Sequence, residues 1–171
     1  MQKRRIPLLS LSISGMNVLT NKTMKISIVT INYNNAAGLE KTIKSVISQS
    51  FKDFEYIIID GGSNDGSVDI IKKYADEIDF WVSEPDKGIY NAMNKGIEKA
   101  SGEWLYFMGC DDSFYNQDMV KEISTMLNAE NDILYGDVRW MPENKLEAGE
   151  VVSVDLINRN INHQRIFYRK Y

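Results

Sequence analysis

The sequence predicts an α/β fold, a mostly parallel sheet flanked by helices, on three observations. Apolar runs rich in β-branched or aromatic residues recur four times, stretches with helical apolar spacing separate them, and polar residues gather just after each run. Strands alternating with helices build right-handed βαβ units, which cover both faces of the sheet.

The elements follow in order. Lys25 to Ile31 reads as a first strand, buried on both faces. Asn34 and Asn35 are good helix caps, and Leu39, Ile43, Val46 and Ile47 then share a helical face. Phe54 to Ile59 is a second strand ending at Asp60, with a turn over Gly61 to Gly66 and a helix carrying Val68, Ile71 and Tyr74. Phe80 to Val82 predicts a short third strand, Glu84 to Gly88 a loop, and Tyr90, Met93 and Ile97 a helix. Trp104 to Met108 is the fourth strand and runs into Gly109-Cys110-Asp111-Asp112. Beyond it the pattern loosens: Met119, Ile123 and Met126 suit a helix, Ile133 to Tyr135 a strand into Gly136-Asp137, and Glu150 to Val154 another strand. Trp81, Trp104, Tyr106 and Phe107 are expected in the core, since buried strands recruit such side chains.

The chain has 171 residues, 20 basic against 24 acidic, for a net charge of -4. That length predicts one domain with a real core, and the charge lacks the cationic excess that nucleic-acid binding needs, so no nucleic-acid partner is expected. One cysteine, Cys110, and one histidine, His163, argue against a disulfide, a conventional zinc site and an oxidising compartment. Residues 1–23 read as an N-terminal extension: the basic Lys3-Arg4-Arg5 and the serine-broken apolar stretch after it make a poor leader peptide. The domain is assigned to 24–171. No apolar run approaches the ~20 residues that cross a bilayer, which leaves peripheral association with a membrane open.

In an open parallel sheet, ligands bind beyond the carboxyl ends of the strands, where helix N-termini present free N–H groups. Thr30 and Asn32 to Asn35, Asp60 to Asp65, Glu84 to Lys87, and Asp111-Asp112 all fall at such ends. Each position alone is explained by turns and caps; four on one edge predict a cleft. Adjacent carboxylates at Asp111 and Asp112 repel unless one caps a helix or a cation sits between them, and these two readings are equally weighted. A cation held by such oxygen donors would be Mg²⁺ or Mn²⁺, usually shared with a substrate diphosphate. No G-x-G-x-x-G follows the first strand and no Walker A sequence occurs, which argues against dinucleotide and P-loop sites.

Four ordered blocks carry a resemblance: Ser27 to Asn34, Ile59 to Ser67, Ser83-Glu84-Pro85-Asp86-Lys87-Gly88-Ile89-Tyr90-Asn91-Ala92-Met93-Asn94-Lys95-Gly96, and Gly102 to Asp112. Together they resemble the family 2 glycosyltransferases of the GT-A (Rossmann-like) fold that build bacterial surface glycans. The resemblance implies inverting transfer of a sugar from a nucleotide-diphosphate donor, often a UDP-sugar, to a hydroxyl of a glycan or lipid-linked acceptor. It implies a cytoplasmic setting at the inner face of the membrane. Thr30 and Asp60 would contact the nucleoside, and Asn32, Tyr33, Gly62, Ser63, Asp86, Lys87, Asn94 and Lys95 would line the nucleotide-sugar pocket. Asp111-Asp112 would be the metal motif, with Asp112 the direct ligand of Mg²⁺ or Mn²⁺ and His163 a further one. Two departures stand out: Cys110 replaces the first of three acidic positions seen in some relatives, and Asn91 stands where close relatives often carry aspartate. In similar proteins the segment bearing the catalytic base follows the Asn162-His163-Gln164 region and would fall beyond Tyr171. On that expectation the chain binds donor but transfers poorly, with Asp137 as a substitute base; the alternative is a nucleotide-sugar-binding module.

Overall fold

The structure is a computed structural model and describes residues 26–128, 130–147 and 166–170. The alternation expected from the sequence is present: β1 (Ile26–Asn32), α1 (Ala36–Ile47), β2 (Phe54–Asp60), α2 (Ser67–Lys73), β3 (Phe80–Ser83), α3 (Ile89–Lys99) and β4 (Trp104–Gly109). They are followed by α4 (Met119–Met126), β5 (Ile133–Tyr135), the pair β6 (Val138–Trp140) and β7 (Lys145–Glu147), and β8 (Ile166–Arg169). The strand expected at 150–154 lies outside the described residues.

The main sheet has the order β3-β2-β1-β4-β8-β5. β1, β2, β3 and β4 pair in parallel, while β8 pairs antiparallel with both β4 and β5. β5 therefore runs parallel to β4, and the carboxyl ends of all five parallel strands share one edge. β8 enters the sheet at that edge, with Ile166 opposite Tyr135.

Strand alternation sorts the core into two layers. On one face Ile26 and Ile28 of β1, Tyr56 and Ile58 of β2, and Trp104, Tyr106 and Met108 of β4 pack with Leu39, Ile43 and Val46 of α1, Ile71 of α2, and Val120 and Ile123 of α4. On the other, Val29, Ile57, Ile59, Leu105 and Phe107 meet Ala92 of α3. Gly96 lets α3 approach closely, since a Cβ there would lie 2.5 Å from Val29 Cγ1. Trp104, Tyr106 and Phe107 are buried as expected, and Trp81 is partly buried against the first layer. β8 was not legible as a strand in the sequence. It is held by Phe167, whose ring stacks on Tyr106 with centroids 4.3 Å apart.

Candidate functional site

β2 ends in the row that organises the site. Asp60 lies in register with Asn32 of β1 and Ser83 of β3, so the three polar side chains form a line across the carboxyl edge. Asp60 is fully buried. Its Oδ1 accepts from Asn32 Nδ2 at 2.6 Å and from Ser63 Oγ at 2.6 Å. Its Oδ2 accepts from Ser83 Oγ at 2.6 Å, Ser63 N at 2.9 Å and Gly62 N at 3.2 Å. Burial pushes the Asp60 carboxyl up, but the hydrogen bonds from Ser63, Ser83 and Asn32 outweigh it and hold the group below its usual range. Five donors use the whole accepting capacity of a carboxylate. The loop wraps its backbone around Asp60 with Gly62 at φ +81°, and Gly61 is the part of it that lines the cleft.

The same loop pins α1. Ser63 Oγ accepts from Asn34 N at 2.7 Å, Asp65 Oδ2 accepts from Ala36 N at 2.8 Å, and Asn35 caps the helix by accepting from Gly38 N at 3.1 Å. Thr30 is sealed in the core, its hydroxyl 3.2 Å from the Tyr56 hydroxyl, so its side chain faces away from the cleft.

Beside this row opens a cleft of about 560 Å³, lined by Ile31, Asn32 and Tyr33 at the end of β1, by Gly61, by Pro85, Asp86, Gly88 and Ile89 before and at the start of α3, and by Phe107 to Cys110 at the end of β4. That volume suits a nucleotide-sized ligand. Gly61 keeps the cleft wall open, because a Cβ there would stand 2.8 Å from Asp86 Oδ2 and 3.1 Å from Tyr33 Cδ2 and would push those side chains aside. Asp86 Oδ1 accepts from Gly88 N at 2.8 Å, and Asn91 Oδ1 accepts from Lys87 N at 3.2 Å; together they close the turn that starts α3. Lys95 reaches back to Glu84 at 2.9 Å and to the Pro85 carbonyl at 3.3 Å, tying the turn to the helix. Tyr33 is 68% exposed, Lys87 and Asn94 are exposed, and Ile89 and Tyr90 at the start of α3 are exposed as well.

The acidic pair lies just past β4, on the same edge as Asp60. Neither aspartate caps a helix: the residue at the N-cap of α4 is Asp118. Asp111 adopts φ +76° and turns toward α1, where Lys41 Nζ donates to its Oδ1 at 2.8 Å and to its carbonyl at 2.7 Å. Asp112 is half-buried, and its carbonyl accepts from Thr42 Oγ1 at 2.9 Å. Burial, with Asp112 as the foremost of several nearby carboxylates, pushes the Cys110 thiol up to about 12. The thiol stays protonated and donates to Asn32 Oδ1 at 3.1 Å and the Ile31 carbonyl at 3.2 Å. Among the described residues no three His, Cys, Asp or Glu side chains converge as a cation cage. The donor set instead fits a hard cation that takes one or two carboxylates and completes its shell with phosphate oxygens and water.

Sequence reasoning missed the polar stripe of α1 that holds this turn. At three- and four-residue spacing, Gly38 O accepts from Asp111 N at 3.2 Å, Lys41 and Thr42 bind Asp111 and Asp112, and Ser45 Oγ accepts from Phe114 N at 2.8 Å. Gln49, just past the helix and 1% exposed, accepts from Val120 N at 3.1 Å and donates to Asn116 O at 2.8 Å. A run of polar residues beside the apolar stripe Leu39, Ile43, Val46 was the available signal.

Asp137 follows β5 on the same carboxyl edge and is exposed. β5 itself lies two strand spacings from β4, roughly 10 Å. His163 lies outside the described residues.

The glycosyl transferase family 2 model matches residues 27–169. A PGL/p-HBAD biosynthesis glycosyltransferase of Mycobacterium tuberculosis is 36% identical over 151 residues, covering 84% of this chain and 59% of that relative. The chain thus spans 59% of the length of that relative. Among solved structures, TarS of S. aureus in complex with UDP-GlcNAc superposes with TM-score 0.67 at 21% identity, over 85% of this chain and 45% of the other. The mannosyltransferase PcManGT from Pyrobaculum calidifontis, in complex with GDP-Man and Mn²⁺, gives 0.60 at 18% identity, over 67% of this chain and 35% of the other. These structural likenesses show a shared fold.

Proposed function

The chain belongs to glycosyl transferase family 2, and from that premise we propose that it binds a nucleotide-diphosphate sugar, such as a UDP-sugar, and passes the sugar to an acceptor hydroxyl with inversion. The observation that carries this reading is the cleft at the carboxyl edge, which runs from Tyr33 and Gly61 past the start of α3 to the end of β4. The UDP-GlcNAc held by TarS and the GDP-Man held by PcManGT make a nucleotide sugar the natural ligand to test.

In this reading the exposed ring of Tyr33 and the Gly61–Ser63 backbone receive the nucleoside. Asp60 and Thr30 act from beneath, Asp60 by fixing that backbone and Thr30 by closing the core under β1. Asp86 sits beside Gly61 and forms the pocket wall, while Lys95 and Asn91 keep the Pro85–Gly88 turn in shape. α3 opens at Gly88 without a side-chain cap, so its first N–H groups and the positive end of its dipole favour a diphosphate there. Asp112 would be the direct ligand of Mg²⁺ or Mn²⁺, a cation that would supply charge neutralisation for the departing diphosphate.

Transfer forms a bond from the acceptor oxygen to the anomeric carbon as the bond to the diphosphate oxygen breaks, and a base takes the acceptor proton. Asp137, exposed beyond β5 on the same carboxyl edge, is the first carboxylate to replace in search of that base. The acceptor class in this reading is a glycan or lipid-linked hydroxyl, as the family resemblance implies. Among the described residues no helix is long and apolar enough to cross a membrane, and in this reading the chain works at the inner membrane face.

A thermal-shift panel of UDP, GDP and their sugars, with and without Mn²⁺, tests the proposal, because a ligand that binds only the folded state raises the melting temperature with its concentration. A rise with one nucleotide in the presence of Mn²⁺ is expected. No shift with any of them at millimolar concentration overturns it.

A further inference from the structure

Lys41 is the one basic side chain in the polar stripe of α1 that meets the acidic turn. It grips Asp111 at two atoms, the carboxylate at 2.8 Å and the carbonyl at 2.7 Å, while the Asp111 N–H is held by Gly38 O at 3.2 Å. Three bonds from a single helical turn therefore specify one residue seventy positions away. Asp111 needs them, since φ +76° disfavours a side chain with a Cβ and persists where the surroundings over-determine it. Asp112, the next residue, is anchored through its carbonyl by Thr42 rather than by Lys41.

We propose that Lys41 is a positioning residue that keeps Asp111 out of the coordination shell of the divalent cation, so that the cation binds at Asp112 together with the nucleotide diphosphate rather than to the free protein. The proposal rests on the metal-dependent reading above and adds an order to it. A dication approaching Asp111 Oδ1 meets an ammonium already at hydrogen-bond distance, and binding there requires that lysine to leave against like-charge repulsion. Without Asp111, the protein offers the cation a single carboxylate of the pair, too few donors for tight binding in the absence of phosphate oxygens. The Lys41 and Asp111 side chains are 53% and 67% exposed, so their ion pair adds little to folding stability and Lys41 can be replaced with the fold retained.

The test is titration of Mn²⁺ into the full chain, followed by the electron paramagnetic resonance signal of the free aqueous ion, with and without UDP. Wild type is expected to bind Mn²⁺ weakly alone and more tightly with UDP. Lys41→Met is expected to raise UDP-free Mn²⁺ affinity about three- to tenfold, Lys41→Arg to behave as wild type, and Lys41→Met combined with Asp111→Asn to lose the gain. Lys41→Gln removes the charge while keeping a donor for the Asp111 carbonyl, and is expected to show the same gain. Either neutral variant, folded by circular dichroism, with UDP-free affinity equal to or below wild type overturns the proposal. Absence of Mn²⁺ binding by wild type even with UDP overturns the metal reading itself, and this inference with it.

Discussion

β2 and β4 flank β1 on opposite sides; β2 ends in Asp60 and β4 is followed by Asp111 and Asp112, and the two ends are built differently. Asp60 closes β2 with its carboxylate fully buried and met by five donors, three of them the side chains of Asn32, Ser63 and Ser83. Beyond β4, Asp111 is exposed on Lys41 and Asp112 is half-buried. Position at a strand end is thus a poor guide to use. A carboxylate whose lone pairs are saturated inside the protein shapes a loop, whereas one held at the surface can still change partners. The row Asn32–Asp60–Ser83 acts as a keystone within the sheet edge, and the Asp111–Asp112 turn is pinned at the surface from α1.

Removing the keystone should have the largest effect. Asp60→Ala strands the Asn32 and Ser83 donors and the Gly62 and Ser63 amides, and is expected to cost about 3 kcal/mol of unfolding free energy in urea titrations. A loss under about 1 kcal/mol would erase the distinction between the two ends. Asp112→Asn should do the reverse, lowering Mn²⁺-dependent UDP affinity at least about tenfold by calorimetry while stability changes by less than about 1 kcal/mol. Equal affinity with and without metal, in wild type and variant alike, would remove Asp112 from the metal's shell.

Gly61→Ala probes the wall between keystone and cleft. Its methyl meets the movable ends of Asp86 and Tyr33, at 2.8 and 3.1 Å, so UDP affinity should fall about threefold with stability nearly kept. Unchanged affinity would mean the nucleotide does not use this wall. The smallest effect concerns pH. The Asp60 carboxyl is held below its ordinary range in the folded protein, so the unfolded chain takes up the proton first. The stability contributed by Asp60 is therefore complete above the ordinary carboxylate range and declines as the pH falls from about 4 through the lower folded value. The stability gap between wild type and Asp60→Asn, followed by urea unfolding from pH 6 downward, should narrow below about pH 4; a constant gap would show that the carboxylate's charge is not what the row requires.

What the sequence determined by itself is the part written in local periodicity. Continuous apolar runs such as Tyr56 to Ile59 could only be strands covered on both faces, the spacing of Leu39, Ile43 and Val46 could only be satisfied by a helix on the sheet, and Asn35 marked where that helix starts. The alternation then placed Asp60, Asp86 and Asp111 on one edge, because every parallel βαβ unit returns its strand in the same direction. Tertiary structure alone decided how each of these residues is used. Asp60 is saturated because parallel register sets Asn32 and Ser83 beside it. Thr30 pairs with Tyr56 twenty-six residues on, and Lys41 reaches Asp111 across seventy. β8 slips antiparallel between β4 and β5, where a four-residue segment is stabilised by Tyr106 and the strands around it. Hydrogen-bond saturation and ion pairing depend on distances of about 3 Å between groups remote in sequence. Periodicity specifies the face on which a side chain lies, and only the assembled sheet specifies what it meets there.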